Sequence, residues 1–110
     1  MRSSRPRFAI DLALLGEGSV CVRVRGEVDL STSPELGEML RREISGGRSV
    51  VLDLSGVTFI DSSGLNTLIR ALRLCEANGG SLELAPGLPA QVKRVFEITG
   101  LDGVLRIASE

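Results

Sequence analysis

The chain has 110 residues, with 13 Lys and Arg against 14 Asp and Glu, and its formal net charge is −1 at neutral pH. This length fits one domain with one core, and 43% hydrophobic and 25% charged residues are typical of a globular protein, which argues against a disordered chain or a membrane chain. The balanced charge, and three aromatic residues without Trp or Tyr, argue against direct nucleic-acid binding.

The cysteine and histidine content limits which kinds of site the protein can contain. Cys21 and Cys75 have neither metal-ligand spacing nor a disulfide framework, and the chain has no histidine, so we expect free thiols and no metal site. No stretch approaches the apolar length that spans a bilayer, and the first residues lack the apolar core of a signal peptide. We therefore expect a cytoplasmic protein that does not bind membranes.

The chain begins with a polar segment and a hairpin. Residues 1–7 (MRSSRPR) predict a flexible N-terminal arm, and a single domain is expected over 8–110. FAIDLALL and SVCVRVRGEVDL, separated by GEG, alternate in hydrophobicity and predict an antiparallel β-hairpin. Its apolar face contains Phe8, Ile10, Leu12, Leu14, Val20, Val22 and Val24, and its solvent-facing side contains Cys21, Arg23 and Arg25.

Helices and strands alternate in the rest of the chain. Thr32-Ser-Pro-Glu35 matches a capping box and predicts a helix that ends at Ser45-Gly-Gly47. The following segments predict a central strand in SVVLDLSG, a helix from Ser62 to Ala77 capped by Asn78-Gly-Gly80, a strand in SLELA, a helix over 90–99 and a last strand in VLRIA. The order predicts an α/β domain, with a mixed and mostly parallel sheet that starts with the hairpin and helices mainly on one face.

Between the central strand and the second helix lies the segment Asp61-Ser-Ser-Gly64, whose residues suggest several chemistries. A serine nucleophile lacks a histidine base, and nothing in the sequence places Lys93, the only lysine, beside the serines. A P-loop lacks its glycines and following lysine, and a receiver-type aspartate lacks its acidic pair and late lysine. The simplest alternative is that Asp61 or Ser62 caps the helix.

Gly64 requires a separate explanation, because glycine in the first turn of a helix costs up to about 1 kcal/mol relative to alanine. A close approach of another backbone would explain the missing side chain. That backbone could belong to a strand of this chain or to a partner docked on the start of the helix, and the sequence leaves both alternatives open.

Three segments together resemble the anti-sigma factor antagonists, the single-domain members of the STAS group. GEVDLSTSPEL (26–36) is similar to the family's GELD segment and the capped helix after it. VVLDLSGVTFIDSSGLNTLI (50–69) is similar to its signature strand and serine-bearing helix, and PAQVKRVFEITGL (89–101) to its late helix. The segments occur in the family's order, and the resemblance covers residues 8–108.

The resemblance implies a STAS fold and a switchable binding module that is not an enzyme and needs no cofactor. Unphosphorylated members bind an anti-sigma factor, also a serine kinase of histidine-kinase-like ATPase fold, and thereby release the sigma factor for transcription in stress response or sporulation. The kinase uses Mg-ATP to phosphorylate the first serine of the motif, here Ser62 with Ser63 as the fallback, and a serine phosphatase reverses this. The implied partner-binding residues are Asp29, Asp61, Ser62, Ser63, Gly64 and Asn66.

Phosphorylation would switch such a module through charge. A phosphate on Ser62 adds about 1.5 to 2 negative charges beside Asp61, which a desolvated interface does not tolerate unpaired. Three alternatives remain open: a STAS scaffold subunit of a stress-signalling complex, a STAS accessory subunit of a lipid-transporting ABC system, and an enzyme with Ser62 as nucleophile.

Overall fold

A computed structural model describes residues 7–108, so the predicted N-terminal arm, except Arg7, lies outside the described residues. The elements are β1 (Ala9–Gly16), β2 (Ser19–Val28), α1 (Ser33–Ser45), β3 (Ser49–Ile60), α2 (Ser62–Asn78), β4 (Leu82–Leu84), α3 (Ala90–Thr99) and β5 (Arg106–Ile107). A 3₁₀ turn at Leu101–Gly103 joins α3 to β5. No helix within 7–108 combines the length and the apolar character needed to cross a membrane.

The five strands form one sheet in the order β1-β2-β3-β4-β5, in which β1 and β2 are antiparallel and the other neighbours are parallel. Along β3, Val50, Leu52 and Leu54 are buried, whereas the alternate residues are partly or fully exposed. One face of the sheet therefore packs under the helices, and the other face is open. This arrangement confirms the predicted fold class and the predicted solvent-facing side of the hairpin, where Arg23 pairs with Asp53 at 3.2 Å.

The apolar face of the hairpin differs from the prediction at the sheet edge. Phe8 and Ile10 pack against the core, but Leu14 is 74% exposed and Leu12 is 43% exposed. Both leucines lie on β1, opposite the buried Val20 and Val22 of β2. The hydrophobic alternation therefore predicted the β-strand correctly, but the predicted burial of Leu12 and Leu14 is wrong, because β1 is the outermost strand of the sheet.

The predicted capping box at α1 is wrong, although the helix itself is confirmed with Pro34 in its first turn. The Thr32 hydroxyl makes no capping hydrogen bond; it donates to the Glu27 carbonyl at 2.7 Å and accepts from the Asp29 N–H at 2.9 Å. The hydroxyl thus faces the end of β2, and the carboxylate of Asp29 accepts the Thr32 N–H at 3.1 Å. Thr32 fixes the strand-to-helix turn and leaves the helix start uncapped by its side chain.

Candidate functional site

Two acidic residues follow the ends of neighbouring parallel strands. Asp29 follows Val28, the last residue of β2, and Asp61 follows Ile60, the last residue of β3. Val28 and Ile60 are partners in the sheet, and the Asp61 N–H donates to the Val28 carbonyl at 3.2 Å. Since the carboxyl ends of parallel strands meet at one edge of a sheet, the two acids lie at the same edge, where α2 begins.

Asp61 is the N-cap of α2, which resolves the sequence alternative between Asp61 and Ser62. Its backbone is extended, with φ −111° and ψ −172°, and its Oδ1 accepts the N–H groups of Ser63 at 2.9 Å and Gly64 at 3.2 Å. The carboxylate thus satisfies two of the donors that a helix start leaves unpaired, and its charge lies at the positive end of the helix dipole.

Asp29 organises the loop between β2 and α1. Its Oδ1 accepts the Ser31 hydroxyl at 2.8 Å, the Ser31 N–H at 3.0 Å and the Thr32 N–H at 3.1 Å. The Ser31 hydroxyl contributes most to lowering the pKa of Asp29 below its ordinary value; partial desolvation opposes this, and the other hydrogen bonds add to the lowering. Asp29 is therefore ionised at neutral pH and adds negative charge to the sheet edge.

The first residues of α2 differ in exposure. Ser62 and Asn66 are exposed, Ser63 is partly buried, and Gly64 is buried. The Ser63 carbonyl accepts the Thr67 hydroxyl at 3.0 Å, in line with a regular helix from the first turn. Of the two hydroxyls that the sequence could not distinguish, the one at Ser62 is therefore the more accessible to another protein.

Gly64 packs against the ends of β2 and β3. A Cβ built on Gly64 would lie 2.7 Å from Ile60 Cγ1, 2.8 Å from Val28 Cγ1 and 3.1 Å from the Val28 carbonyl oxygen. The close approach that the sequence required is thus supplied by this chain's own strands. Gly64 is therefore a packing residue, and its predicted place in the partner-binding set stays a prediction.

Exposed apolar residues, which the sequence patterns did not indicate, lie beside these acids and serines. Leu30, between Asp29 and Ser31, is 76% exposed, and Val104 is 56% exposed on a groove that also contains Ser62 and Asn66. The exposure of Leu30 could have been predicted from the sequence, since Leu30 is an apolar residue in a polar turn and lies outside the helical period of α1. The position of Val104 beside α2 could not have been predicted from the sequence, because only the folded chain brings the two together.

Within the described part of the chain, no lysine or carboxylate lines the groove that contains Ser62. Lys93 is exposed on α3 and lies in a different depression, with Ala90 and Glu97. Within residues 7–108 no group of three or more Cys, Asp or Glu is arranged to hold a metal ion. Cys21 and Cys75 are free thiols, as expected, and burial is the main cause that raises the pKa of each.

Comparison with known proteins identifies the fold and the family. The sequence model of the STAS domain matches residues 13–110, so the chain is a STAS domain protein. The anti-sigma-B factor antagonist of Bacillus subtilis strain 168 is 31% identical over 86% of this chain and 85% of its own length. That of Staphylococcus aureus strain NCTC 8325 is 34% identical over 78% of this chain and 80% of its own length.

A solved structure gives the same result. The anti-sigma factor antagonist SpoIIAA in its unphosphorylated form has a TM-score of 0.77 and 25% identity, covering 93% of this chain and 90% of that one. The chain belongs to the anti-sigma factor antagonist family of STAS domain proteins, which confirms the resemblance in the sequence.

Proposed function

We propose that this chain is an anti-sigma factor antagonist that binds its anti-sigma factor while Ser62 is unmodified and thereby frees a sigma factor for RNA polymerase in the cytoplasm. The observation that carries the proposal is the surface at the carboxyl ends of β2 and β3, where Asp29, Asp61 and the exposed Ser62 lie together. Two relatives named anti-sigma-B factor antagonists align with most of the chain and support this role. The chain acts through binding, without catalysis of its own.

The anti-sigma factor is, in this proposal, also a serine kinase of histidine-kinase-like ATPase fold. The Ser62 Oγ attacks the γ-phosphorus of Mg-ATP, the bond to the β-phosphate oxygen breaks to give ADP, and the hydroxyl proton is released. A serine phosphatase later hydrolyses the phosphoserine. Ser62 is preferred to Ser63 because Ser62 is exposed and Ser63 is partly buried.

The surroundings of Ser62 support ejection of the partner by charge. A phosphate adds about 1.5 to 2 negative charges at neutral pH. The N–H groups of Ser63 and Gly64, which would otherwise stabilise an anion at the helix start, are already accepted by Asp61. These two N–H groups are therefore not free to bind the phosphate. Burying the phosphate unpaired at an interface costs several kcal/mol, with every 1.4 kcal/mol equal to about tenfold in affinity.

The test is binding and phosphorylation with each histidine-kinase-like anti-sigma factor encoded by the same genome. Isothermal titration calorimetry compares the wild-type chain with Ser62→Ala, Ser62→Asp and, as the matched control, Ser63→Ala. We expect one anti-sigma factor to bind the wild type, Ser62→Ala and Ser63→Ala alike, and to bind Ser62→Asp about tenfold or more weakly. Peptide mapping after incubation with Mg-ATP should place the phosphate on Ser62.

Four results would each contradict a part of the proposal. If no anti-sigma factor binds the wild type, or if a transporter ATPase binds instead, the antagonist role is wrong. If Ser62→Asp binds as tightly as Ser62→Ala, ejection by charge is wrong. If the phosphate is found on Ser63 alone, the assignment of the modified residue is wrong.

A further inference from the structure

A groove next to Ser62 runs between α2 and the turn that follows α3. Its volume is about 490 Å³, within the range of pockets that accept ligands or inserted side chains. Ser62, Leu65, Asn66 and Ile69 line it from α2, and Leu101 and Val104 line it from the 3₁₀ turn and its end. The groove thus combines the first turns of α2 with a distant segment of the chain.

The far wall of the groove is shaped by the local backbone. α3 ends at Gly100, whose φ of +78° is readily adopted only by glycine, and the chain then turns directly into the 3₁₀ turn. Leu101 is buried by this turn and supports the wall, whereas Val104 remains 56% exposed at the rim. An exposed valine beside the partly exposed Ile69 leaves apolar surface that solvent does not favour.

Among residues 7–108, none of those that line this groove is charged. A second groove beside α2, on the side of α1, contrasts with it, because Glu38, Arg41 and Arg70 line that one. The two grooves therefore select different occupants, and the groove that contains Ser62 favours an uncharged apolar group.

We propose that the Ser62 groove receives an uncharged apolar side chain of the anti-sigma factor, which packs against Val104 and Ile69. This inference rests on the proposed function and adds to it where, and with what chemistry, the partner makes contact. Ser62 itself lines the groove, so a partner that covers Ser62 lies directly beside it. Phosphorylation of Ser62 then places a charge in a groove whose other described lining residues are uncharged, which is unfavourable for a bound apolar group.

The groove is tested with the anti-sigma factor that binds the wild-type chain, using Val104→Glu to introduce a charge while Ser62 stays intact. The matched control is Leu14→Glu, which replaces an exposed apolar residue of β1, at the opposite edge of the sheet, with the same charge. We expect Val104→Glu to weaken binding by about tenfold or more and Leu14→Glu to change it by less than about twofold. Thermal unfolding should be cooperative for both variants.

A second measurement does not depend on any substitution. In a methyl-labelled wild-type chain, the NMR signals of Val104, Leu65 and Ile69 should shift when the anti-sigma factor is added, and those of Leu14 should not. If the wild type binds but neither Val104→Glu nor these signals respond, the groove proposal is wrong and the antagonist role stands. If no anti-sigma factor binds the wild type, the antagonist role fails, and the groove proposal fails with it.

Discussion

Replacing Gly64 with alanine tests whether the fold itself requires this glycine. In an ordinary helix the change stabilises by up to about 1 kcal/mol. Here the new Cβ would lie 2.7 Å from Ile60 Cγ1 and 2.8 Å from Val28 Cγ1, so these atoms would have to move apart. Both side chains are buried and the Val28 carbonyl is fixed by the Asp61 N–H, so little room exists for the movement. Overpacking of this kind costs about 1 to 3 kcal/mol, and we expect Gly64→Ala to destabilise by about 1 to 2 kcal/mol in net.

Gly37→Ala is the matched control, because Gly37 lies inside α1. Within residues 7–108 and outside its own helix backbone and chain neighbours, the one atom within 4 Å of its built Cβ is Thr67 Cγ2, at 3.4 Å. We expect this variant to gain about 0.5 to 1 kcal/mol. Urea unfolding of both variants should give equal m-values and changes of opposite sign in the free energy of unfolding. The packing argument is refuted if Gly64→Ala is as stable as the wild type, and a loss of anti-sigma factor binding at unchanged stability would restore the alternative that Gly64 makes room for a partner.

Three further predictions concern the acids and the thiols. Asp61→Ala removes the side-chain cap of α2 and should destabilise by about 1 kcal/mol, and Asp61→Ser should recover most of this in urea unfolding. The pKa of Asp29 is lowered in the fold, so ionised Asp29 stabilises the protein at pH values above the ordinary carboxyl pKa, and this contribution is lost as the pH falls. The difference in free energy of unfolding between the wild type and Asp29→Asn should therefore shrink below about pH 4. Burial raises the pKa of both thiols, but Cys75 is buried and Cys21 is partly exposed, so Cys75 should react with Ellman's reagent more slowly than Cys21. The Cys21→Ser variant isolates the rate of Cys75.

The order of elements and the start of α2 were predictable because their signals are local. Asp61 precedes an apolar stripe at helical spacing and caps the helix, and Gly79 ends it with a φ of +71°. The capping box at Thr32 was misleading because a four-residue pattern does not include Asp29, whose carboxylate accepts the Thr32 N–H. The Thr32 hydroxyl can bond either to the N–H groups of the helix start or to the backbone at the end of β2. The geometry of the turn decides between them, and the four-residue pattern carries no information on that geometry.

Contacts between distant segments were the part that the sequence could not supply. Gly64 is required because a side chain there would collide with Val28, and the groove beside Ser62 is formed in part by Leu101 and Val104. In each case one side of the contact has a visible signal, such as a glycine in a helix, but the other side has an ordinary apolar residue. Hydrophobic periodicity shows that a residue is apolar, and it does not show whether a neighbouring element covers it.

The way α2 is held in place bears on the regulation by charge that we propose for its first residue, Ser62. Gly64 is packed against the ends of β2 and β3, and the Asp61 carboxylate engages the donors of the first turn. The backbone at Ser62 is therefore fixed from two sides, whereas its side chain points into no packed core and remains exposed. Because packed interfaces resist small displacements, a phosphate on Ser62 would not readily move the helix start. In the proposed switch, the phosphate would therefore change the affinity of the surface for its partner while the position of the surface stays the same.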